Sequence, residues 1–219
     1  MKTMKKYFVY LMMAFAAFTF SACGDDDPVA EEPGTELPET PSDPDDPDNP
    51  DEPGNPDEPA DGSNILIAYF TRTNNTGTVA ERIAELTGGT LYRIETVEPY
   101  PEDYMECTEV AREQLENGTR PQLSGTVENM EQYNIVFVGC PVWWGDAPIP
   151  IWSFLESESY DFSGKTVIPF CTYATTGWET TLDRIVALTP DSEHLDGFHV
   201  SGRNTNGVED WLREIGIIE

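Results

Sequence analysis

The chain has 219 residues, of which 38% are apolar, and its formal net charge at pH 7 is −29. Residues 64–219 carry 25 Asp or Glu against 9 Lys or Arg, so this part of the chain is acidic in its own right. Such a surface repels nucleic acid and anionic membranes and attracts basic proteins, although excess acid also serves solubility alone.

The first 22 residues have the pattern of a signal peptide. Three lysines precede an apolar run of 13 residues, Phe8 to Phe20, which is shorter than the roughly 20 residues that span a bilayer. Small residues then precede Cys23, as in a bacterial lipobox, and an acidic run at 25–27 resembles the sorting signal of certain outer-membrane lipoproteins. We therefore expect cleavage before Cys23, lipid on its sulfur, and a place in the cell envelope on the periplasmic side or the cell surface. Cleavage and secretion without lipid is the alternative.

Residues 23–63 are predicted to form a disordered tether. Positions 24–62 hold 16 Asp or Glu, 10 Pro and no Lys or Arg. They bury too little apolar surface to fold, and repulsion between like charges keeps them extended. At about 3.1 Å per residue the tether could reach on the order of 100 Å. The lipid anchor is then the one expected contact with a membrane, and the folded domain begins at Asn64.

Strand patterns alternate with helical patterns from Asn64 onward. Apolar runs predict strands at 65–70, 133–140 and 167–171, with shorter candidates at 90–95 and 198–200. Apolar residues at helical spacing predict helices from Val79, at 102–116, at 179–188 and from Val208. This alternation favours an α/β domain of three layers, in which a parallel sheet is covered on both faces. Pro169 counts against the strand at 167–171, because proline removes a ladder hydrogen bond.

Three loops follow the long strands, at residues 71–76, 141–148 and 172–178. In an open α/β sheet, ligands bind beyond the carboxyl ends of the strands. The first loop carries hydroxyl and amide side chains just before a helix, where unpaired backbone amides and the helix dipole stabilise an anion such as phosphate. An ordinary polar turn with Thr76 as the N-cap is the alternative for this loop.

The second loop contains two adjacent tryptophans, Trp143 and Trp144. Exposing so much aromatic surface is unfavourable, so the pair either faces a flat aromatic ligand or tucks beneath the loop as a satellite core. Together with the phosphate-type turn and a third loop that contains glycine, the pattern indicates a flat, nucleotide-like cofactor. Neither a G-x-G-x-x-G fingerprint after a strand nor a P-loop motif is present.

The three loops resemble those of the flavodoxin-like family, in its exported bacterial branch. Residues 70–76, FTRTNNT, resemble the family's S/T-x-T-G-N-T loop for the phosphate of flavin mononucleotide (FMN). Residues 139–145, GCPVWWG, resemble its G-x-P-x-W-W-G loop beside the flavin ring, and residues 170–177 resemble its third flavin loop. The resemblance covers residues 64–219. It implies a doubly wound sheet of five parallel strands in the order 2-1-3-4-5, with FMN as the cofactor.

The resemblance implies roles for individual residues of the three loops. Thr71, Thr73, Asn75 and Thr76 would hold the phosphate together with neighbouring amides. Asn74 stands where the family has Gly, a mild departure because Asn tolerates positive φ. Either Trp143 or Trp144 would pack on the ring, and Tyr173 or Trp178 would cover another part of it. The other cofactor-binding residues implied by the resemblance are Pro141, Val142, Gly145, Thr172, Ala174 and Gly177.

Other reactive side chains give no second site. No catalytic side chain is expected, because a flavin carries the redox chemistry itself. His194 and His199 have no metal-ligand spacing and no nucleophile elbow to pair with, so we expect no metal. Asp146 would either tune a flavin proton or be a solvated loop carboxylate. Cys140 and Cys171 end neighbouring strands, so a disulfide and two buried free thiols are both open.

Three functions are compatible with these patterns. The first is an FMN protein held at the cell envelope that transfers electrons, either as a carrier or as an oxidoreductase linked to NAD(P)H or a quinone. Its partner would be a redox protein or a small acceptor, and residues 100–104 would either overhang the ring on the substrate side or pack as a turn. The second is a cofactor-free binding module on the same fold. The third, an envelope hydrolase, is disfavoured because no nucleophile and base are visible as a pair.

Overall fold

The computed structural model describes residues 64–219, so the predicted signal peptide, lipidated Cys23 and tether fall outside the described residues. The strands are β1 (Ile65–Tyr69), β2 (Thr90–Arg93), β3 (Ile135–Pro141), β4 (Thr166–Tyr173), β5 (Glu193–His194) and β6 (Phe198–Ser201). The helices are α1 (Asn75–Thr87), α2 (Tyr104–Asn117), α3 (Ile149–Leu155), α4 (Trp178–Ala187) and α5 (Val208–Glu214), with a 3-10 turn at Met130–Gln132. None of the helices in this part of the chain has both the length and the apolarity to cross a membrane.

The named strands form one parallel sheet in the order β2-β1-β3-β4-β5. β6 also pairs in parallel with β4, but farther along it: β5 lies beside Thr166 and Val167, and β6 lies beside residues 170–173. The two short strands therefore share the fifth position in the sheet. This arrangement confirms the five-position order 2-1-3-4-5 that the resemblance implied.

Successive residues of the central strands enter two hydrophobic cores, one on each face of the sheet. In β1, Leu66 and Ala68 join one core, while Ile65 and Ile67 join the other. Helices α3 and α4 supply apolar side chains to the first core, and α1 and α5 supply them to the second. The three-layer prediction is confirmed, because a strand that is apolar on both faces has to be covered on both.

The break between β5 and β6 lies opposite Pro169. β5 pairs with β4 up to Val167, and β6 resumes the pairing at Phe170. Residues 195–197 pass the proline between these two stretches, and a Cβ atom on Gly197 would lie only 2.8 Å from the Pro169 carbonyl oxygen. The neighbouring strand is thus irregular at the point where proline offers no N–H group. This local arrangement explains how Pro169 can lie inside a sheet strand.

Helix α3 and strand β5 are absent from the sequence prediction. The residues of α3, IPIWSFL, are apolar almost throughout, so they show no 3.6-residue alternation, and five of the seven are buried. Pro150 lies in the first turn, where the backbone amides have no partner within the helix, so it costs no hydrogen bond. β5 is too short to show a pattern. Helix α1 begins at Asn75, four residues before the apolar pattern starts, because its first turn is part of the polar loop.

Candidate functional site

A cleft of about 630 Å³ opens beside the carboxyl ends of β1, β3 and β4, and all three predicted loops line it. Its size lies within the range of small-ligand pockets, about 300–1,000 Å³. Asn74, Gly145 and Gly177 belong to the loops but do not line the cleft. The other eleven of the fourteen predicted cofactor-binding residues do: Thr71, Thr73, Asn75, Thr76, Pro141, Val142, Trp143, Trp144, Thr172, Tyr173 and Ala174.

The first loop ends at the N-terminus of α1. Asn74 is the N-cap, with φ 59°, and its side chain makes no capping hydrogen bond. The first backbone bond of the helix runs from the Thr78 amide to the Asn74 carbonyl. Within residues 64–219, the amides of Asn75, Thr76 and Gly77 therefore have no acceptor. Three unpaired N–H groups at the positive end of a helix dipole suit an anion of phosphate size, and the alternative with Thr76 as N-cap is wrong.

Hydrogen bonds hold the first loop against its neighbours. The hydroxyl oxygens of Thr76 and Thr172 lie 2.8 Å apart, with both side chains buried, and this contact joins the first loop to the third. Arg203, which follows β6, donates to the Thr73 carbonyl at 2.9 Å. Arg72 donates to two carbonyls of the segment before α2. Neither arginine was predicted as a site residue, because sequence cannot place the backbone carbonyls to which they donate. Arg72 also lines the cleft.

The second loop is a two-residue β-turn. The amides and carbonyls of Trp143 and Asp146 pair in both directions at 3.0 Å, around Trp144 with φ 53° and Gly145 with φ 76°. Positive φ at both central residues is the type I′ geometry. Glycine adopts it freely, whereas the left-handed region costs other residues about 1–2 kcal/mol. A strained residue that lines a cleft is typical of a functional site.

The two tryptophans have different surroundings. Trp143 packs edge-on against Phe70 and Tyr100, with ring centroids 5.3 and 5.0 Å away, and it also lines the cleft. Trp144 is 55% exposed, and its Nε1 donates to the Thr108 carbonyl of α2 at 3.1 Å. The satellite core predicted for the pair thus exists around Trp143. Trp144 instead joins the second loop to α2.

The second and third loops meet at two glycines. Gly177 has φ 89°, and a Cβ atom on it would lie 2.9 Å from the Gly145 Cα atom. This close approach explains why neither glycine lines the cleft, since each lies where one loop packs on the other. Tyr173 and Ala174 are the parts of the third loop that line the cleft beside Thr172.

Two side chains considered for the surroundings of the ring make other contacts. Asp146 accepts three hydrogen bonds of 2.8–3.2 Å from the Arg184 guanidinium, and its side chain is only 12% exposed. Arg184 in turn lies 4.3 Å from the centroid of Trp152. Asp146 is thus half of an ion pair and not a solvated carboxylate, and it does not line the cleft. Trp178 stacks on His199, with ring centroids 3.6 Å apart and 9° between the planes, and does not line the cleft.

Helix α2 forms a wall of the cleft. Of residues 100–104, which were expected either to overhang the ring or to pack as a turn, Tyr104 lines the cleft and Tyr100 packs against Phe70 and Trp143. The rest of this wall was not predicted. Asp103 caps α2 by accepting hydrogen bonds from the amides of Met105 and Glu106 at 2.9 and 3.0 Å. The helical spacing of Cys107 and Ala111 marks a buried face, but nothing in the sequence relates that face to the three loops. The residues that line the cleft outside those loops and were not predicted are Met105, Cys107, Thr108 and Ala111 of α2, Ser201 at the end of β6, and Gly202.

The three cysteines within the described residues are free and buried. Burial raises the pKa of Cys107, and nearby Arg72 opposes that shift. Cys140 and Cys171 are register partners on β3 and β4. Burial raises the pKa of Cys171 to about 12 and that of Cys140 well above its usual value. Of the two alternatives for this pair, the structure has the free thiols, which are protonated and weakly nucleophilic at neutral pH.

Metal and hydrolytic chemistry have no support in residues 64–219. No three or more His, Cys, Asp or Glu side chains in this range are grouped to hold a metal ion. The Nε2 atom of His194 lies 2.9 Å from the Thr189 hydroxyl, and His199 is stacked on Trp178. Neither contact joins a histidine to a nucleophile of the cleft.

A family model described as flavodoxin matches residues 64–215. The chain belongs to the flavodoxin family. Its solved relatives include two provisionally assigned flavoproteins. The one from Bacteroides eggerthii is 30% identical with a TM-score of 0.62, covering 70% of this chain and 98% of that one. The one from Bacteroides uniformis is 29% identical with a TM-score of 0.61, covering 69% and 99%. No protein of curated function matches the sequence.

A more distant member of this structural group has its cofactor bound. The flavoprotein from Lactobacillus acidophilus NCFM in complex with FMN is 20% identical to this chain, with a TM-score of 0.57, and the match covers 68% of this chain and 98% of that one. That likeness shows the shared flavodoxin fold. In this chain the three loops that line the cleft follow β1, β3 and β4. Helix α2, which lines the same cleft, is not part of these loops.

Proposed function

We propose that this protein binds FMN in the cleft and transfers electrons through it. The observation that carries the proposal is the meeting, in one cleft, of an anion site at the start of α1 and an aromatic wall on the second loop. Each part suits a different end of FMN. The family membership supports the same cofactor.

The first loop would hold the phosphate of FMN. The unpaired amides of Asn75, Thr76 and Gly77 supply charge-assisted hydrogen bonds without any proton transfer. The hydroxyl of Thr71 is buried at the cleft, and that of Thr76 is fixed by Thr172, so both are positioned before the ligand arrives. Because these groups are already ordered, binding of FMN would lose little conformational entropy.

The second and third loops would hold the ring. Trp143 and Trp144 supply flat apolar surface, and Tyr173 and Ala174 line the cleft from β4. Bound FMN would supply the redox chemistry, for which no protein nucleophile is needed. The protein's own contribution is to orient the ring, exclude water from one side of it, and hold it in a domain with 25 acidic and 9 basic side chains. Negative surroundings disfavour an anionic reduced flavin, so we expect a reduction potential below that of free FMN.

The role of the protein is either that of an electron carrier or that of a reductase for a small acceptor such as a quinone. An excess of Asp and Glu over Lys and Arg in residues 64–219 suits a basic redox protein as a partner of the carrier. Turnover with NADH or NADPH would select the reductase, and a protein that is reduced only by dithionite or by a redox protein would be a carrier.

The site of action that we propose is the cell envelope. The N-terminal pattern supports export, with lipid on Cys23 and residues 24–62 as an acidic tether. The anchor would keep the domain at the envelope, while the extended tether would hold it away from the membrane surface. Labelling of cells with a radioactive or clickable fatty acid would test the anchor, and Cys23→Ser should abolish incorporation.

Binding of FMN and of riboflavin distinguishes the phosphate site from the ring site. Riboflavin is FMN without its phosphate, so quenching of flavin fluorescence should give a Kd for riboflavin about 100-fold weaker than for FMN. Thr76→Val removes the hydroxyl pair with Thr172 and should weaken FMN about tenfold. Thr87→Val, at the far end of the same helix, is the matched control and should leave the Kd unchanged. If neither flavin binds, the protein is the cofactor-free module.

A further inference from the structure

Two methionines and three cysteines lie within residues 64–219. Met105 at the start of α2 is 63% exposed, whereas Met130 in the first core is only 6% exposed. The three cysteines are all buried. Met105 is therefore the one sulfur-containing side chain of this part of the chain with a large area open to a dissolved oxidant.

The thiols resist oxidation for a second reason. The thiolate, and not the thiol, is the form that reacts readily with a peroxide. Burial raises the pKa of Cys107, Cys140 and Cys171 above the ordinary value, so all three are protonated at neutral pH. Arg72 opposes the shift in the pKa of Cys107 without reversing it. The thioether of methionine has no proton to lose, so the reactivity of Met105 does not depend on a pKa.

Met105 belongs to the wall of the cleft that α2 forms. Asp103 accepts hydrogen bonds from the amides of Met105 and Glu106 at 2.9 and 3.0 Å, which fixes the first turn of the helix. Cys107 and Ala111 are the buried residues of the same helix and hold it against the domain. An oxygen atom on the sulfur of Met105 would therefore be added at the cleft and not on a remote surface.

Oxidation changes what Met105 contributes to the cleft. The thioether is flexible and apolar, whereas the sulfoxide is polar and chiral. Val142 and Trp143 line the same cleft and give it apolar surface. A sulfoxide beside such surface holds water through its S=O group, and a flat apolar ring would have to displace that water in order to bind.

We propose that Met105 is a site of reversible oxidation to the sulfoxide, and that this modification weakens flavin binding in the cleft. The second half of the inference rests on the proposed function. The oxidant is a hydroperoxide such as hydrogen peroxide. A sulfur lone pair attacks one peroxide oxygen, and the S–O bond forms as the O–O bond breaks. The other oxygen leaves as hydroxide and takes the proton of the first, giving water. The sulfur loses two electrons and the peroxide gains them. Methionine sulfoxide reductases reverse the change.

Peptide mapping by mass spectrometry locates the modification. Purified protein is treated with hydrogen peroxide at pH 7 for increasing times, and the reaction is stopped with free methionine. We expect a gain of about 16 Da on the Met105 peptide, at least about tenfold faster than on the Met130 peptide, with the cysteines unchanged over the same period. Oxidation of Met130 or of a cysteine as fast as that of Met105 would overturn the assignment.

Flavin binding measures the consequence for the cleft. After the peroxide is removed, the Kd for FMN, read from quenching of flavin fluorescence, should be about fivefold weaker than before treatment. Methionine sulfoxide reductase with dithiothreitol should restore it. A Kd that is unchanged after complete oxidation of Met105 would overturn the proposal.

Substitutions assign the effect to one sulfur atom. Met105→Leu should have the same Kd for FMN before and after peroxide, because leucine cannot be oxidised. Met130→Leu, the matched control in the core, should lose affinity on treatment as the wild type does. Met105→Gln, whose polar side chain imitates the sulfoxide, should show the weaker Kd without peroxide. Equal responses of Met105→Leu and Met130→Leu to peroxide would show that another residue causes the loss.

The failure of this inference is separable from the failure of the proposed function. Untreated protein that binds no flavin contradicts the proposed function and the effect on flavin with it, and the mass spectra still decide the site of oxidation. Untreated protein that binds FMN, and binds it equally well once Met105 is oxidised, contradicts only the further inference.

Discussion

The backbone conformation of Trp144 lowers the stability of the fold. Its φ of 53° lies in a region that costs a non-glycine residue about 1–2 kcal/mol, and Gly145 beside it shares the turn at little cost. The motif G-x-P-x-W-W-G placed Trp144 at the cofactor, but the strain and the bond to Thr108 could not be predicted, because both depend on the position of α2. The same holds for Asp146, whose partner Arg184 lies 38 residues away.

The buried free thiols of Cys140 and Cys171 should make the unfolding free energy fall at alkaline pH. Burial raises both pKa values above the ordinary 9.0, that of Cys171 to about 12, so the unfolded chain loses these protons first as the pH rises. Their contribution to stability is therefore complete below about pH 9 and is lost as the pH rises from 9 toward 12, by up to about 1.4 kcal/mol per pH unit for each thiol.

Urea unfolding at pH 8 and pH 10.5 measures this effect. The wild type should lose up to about 4 kcal/mol more of its unfolding free energy between these pH values than Cys140→Ala/Cys171→Ala does, about 2 kcal/mol for each thiol. Tyrosine ionisation affects both proteins and cancels in the comparison. An equal loss in the two proteins would mean that the thiols ionise as freely in the fold as in the unfolded chain.

The fifth strand position shows which strands and helices the sequence can predict and which it cannot. The apolar runs and helical spacing identified β1, β3, β4 and most of the helices because burial on two faces leaves a continuous apolar signal. Pro169 counts against β4 in the sequence, but the structure accommodates it through a break between β5 and β6 that has no local sequence signature. Helix α3 was missed for the opposite reason, since it is too apolar to show a period.

The break opposite Pro169 should be intolerant of a side chain at Gly197. A Cβ atom there would lie 2.8 Å from the Pro169 carbonyl oxygen and 3.0 Å from its Cγ atom, both parts of a rigid residue. Gly197→Ala should therefore lower the unfolding free energy by about 1–3 kcal/mol. Gly125→Ala, whose new Cβ would meet only the Tyr92 hydroxyl at 3.5 Å, is the control and should change it by less than about 0.5 kcal/mol. Chemical denaturation measures the unfolding free energy of both variants. Equal values would show that the segment between β5 and β6 can move away from Pro169 without loss of stability.

The negative charge of the whole domain affects both its partners and its stability. Residues 64–219 hold 25 acidic against 9 basic side chains, and the ion pairs of the structure are mostly exposed, so each contributes little. Repulsion among the unpaired carboxylates should dominate the response to salt. We expect the unfolding free energy to rise by about 1 kcal/mol between 0.02 and 0.5 M NaCl at pH 7. A fall over that range, measured by thermal or urea unfolding, would show that the ion pairs outweigh the repulsion.

The visible absorption spectrum of the purified protein, before and after addition of FMN, shows whether the cleft binds a flavin. Trp144→Ala measured beside the wild type shows whether the second loop contacts the ring. We predict flavin bands shifted from those of free FMN at one equivalent per chain, with the shift reduced in Trp144→Ala. Bands identical to those of free FMN, or none retained after gel filtration, would contradict the account and leave an acidic α/β domain whose cleft binds something else.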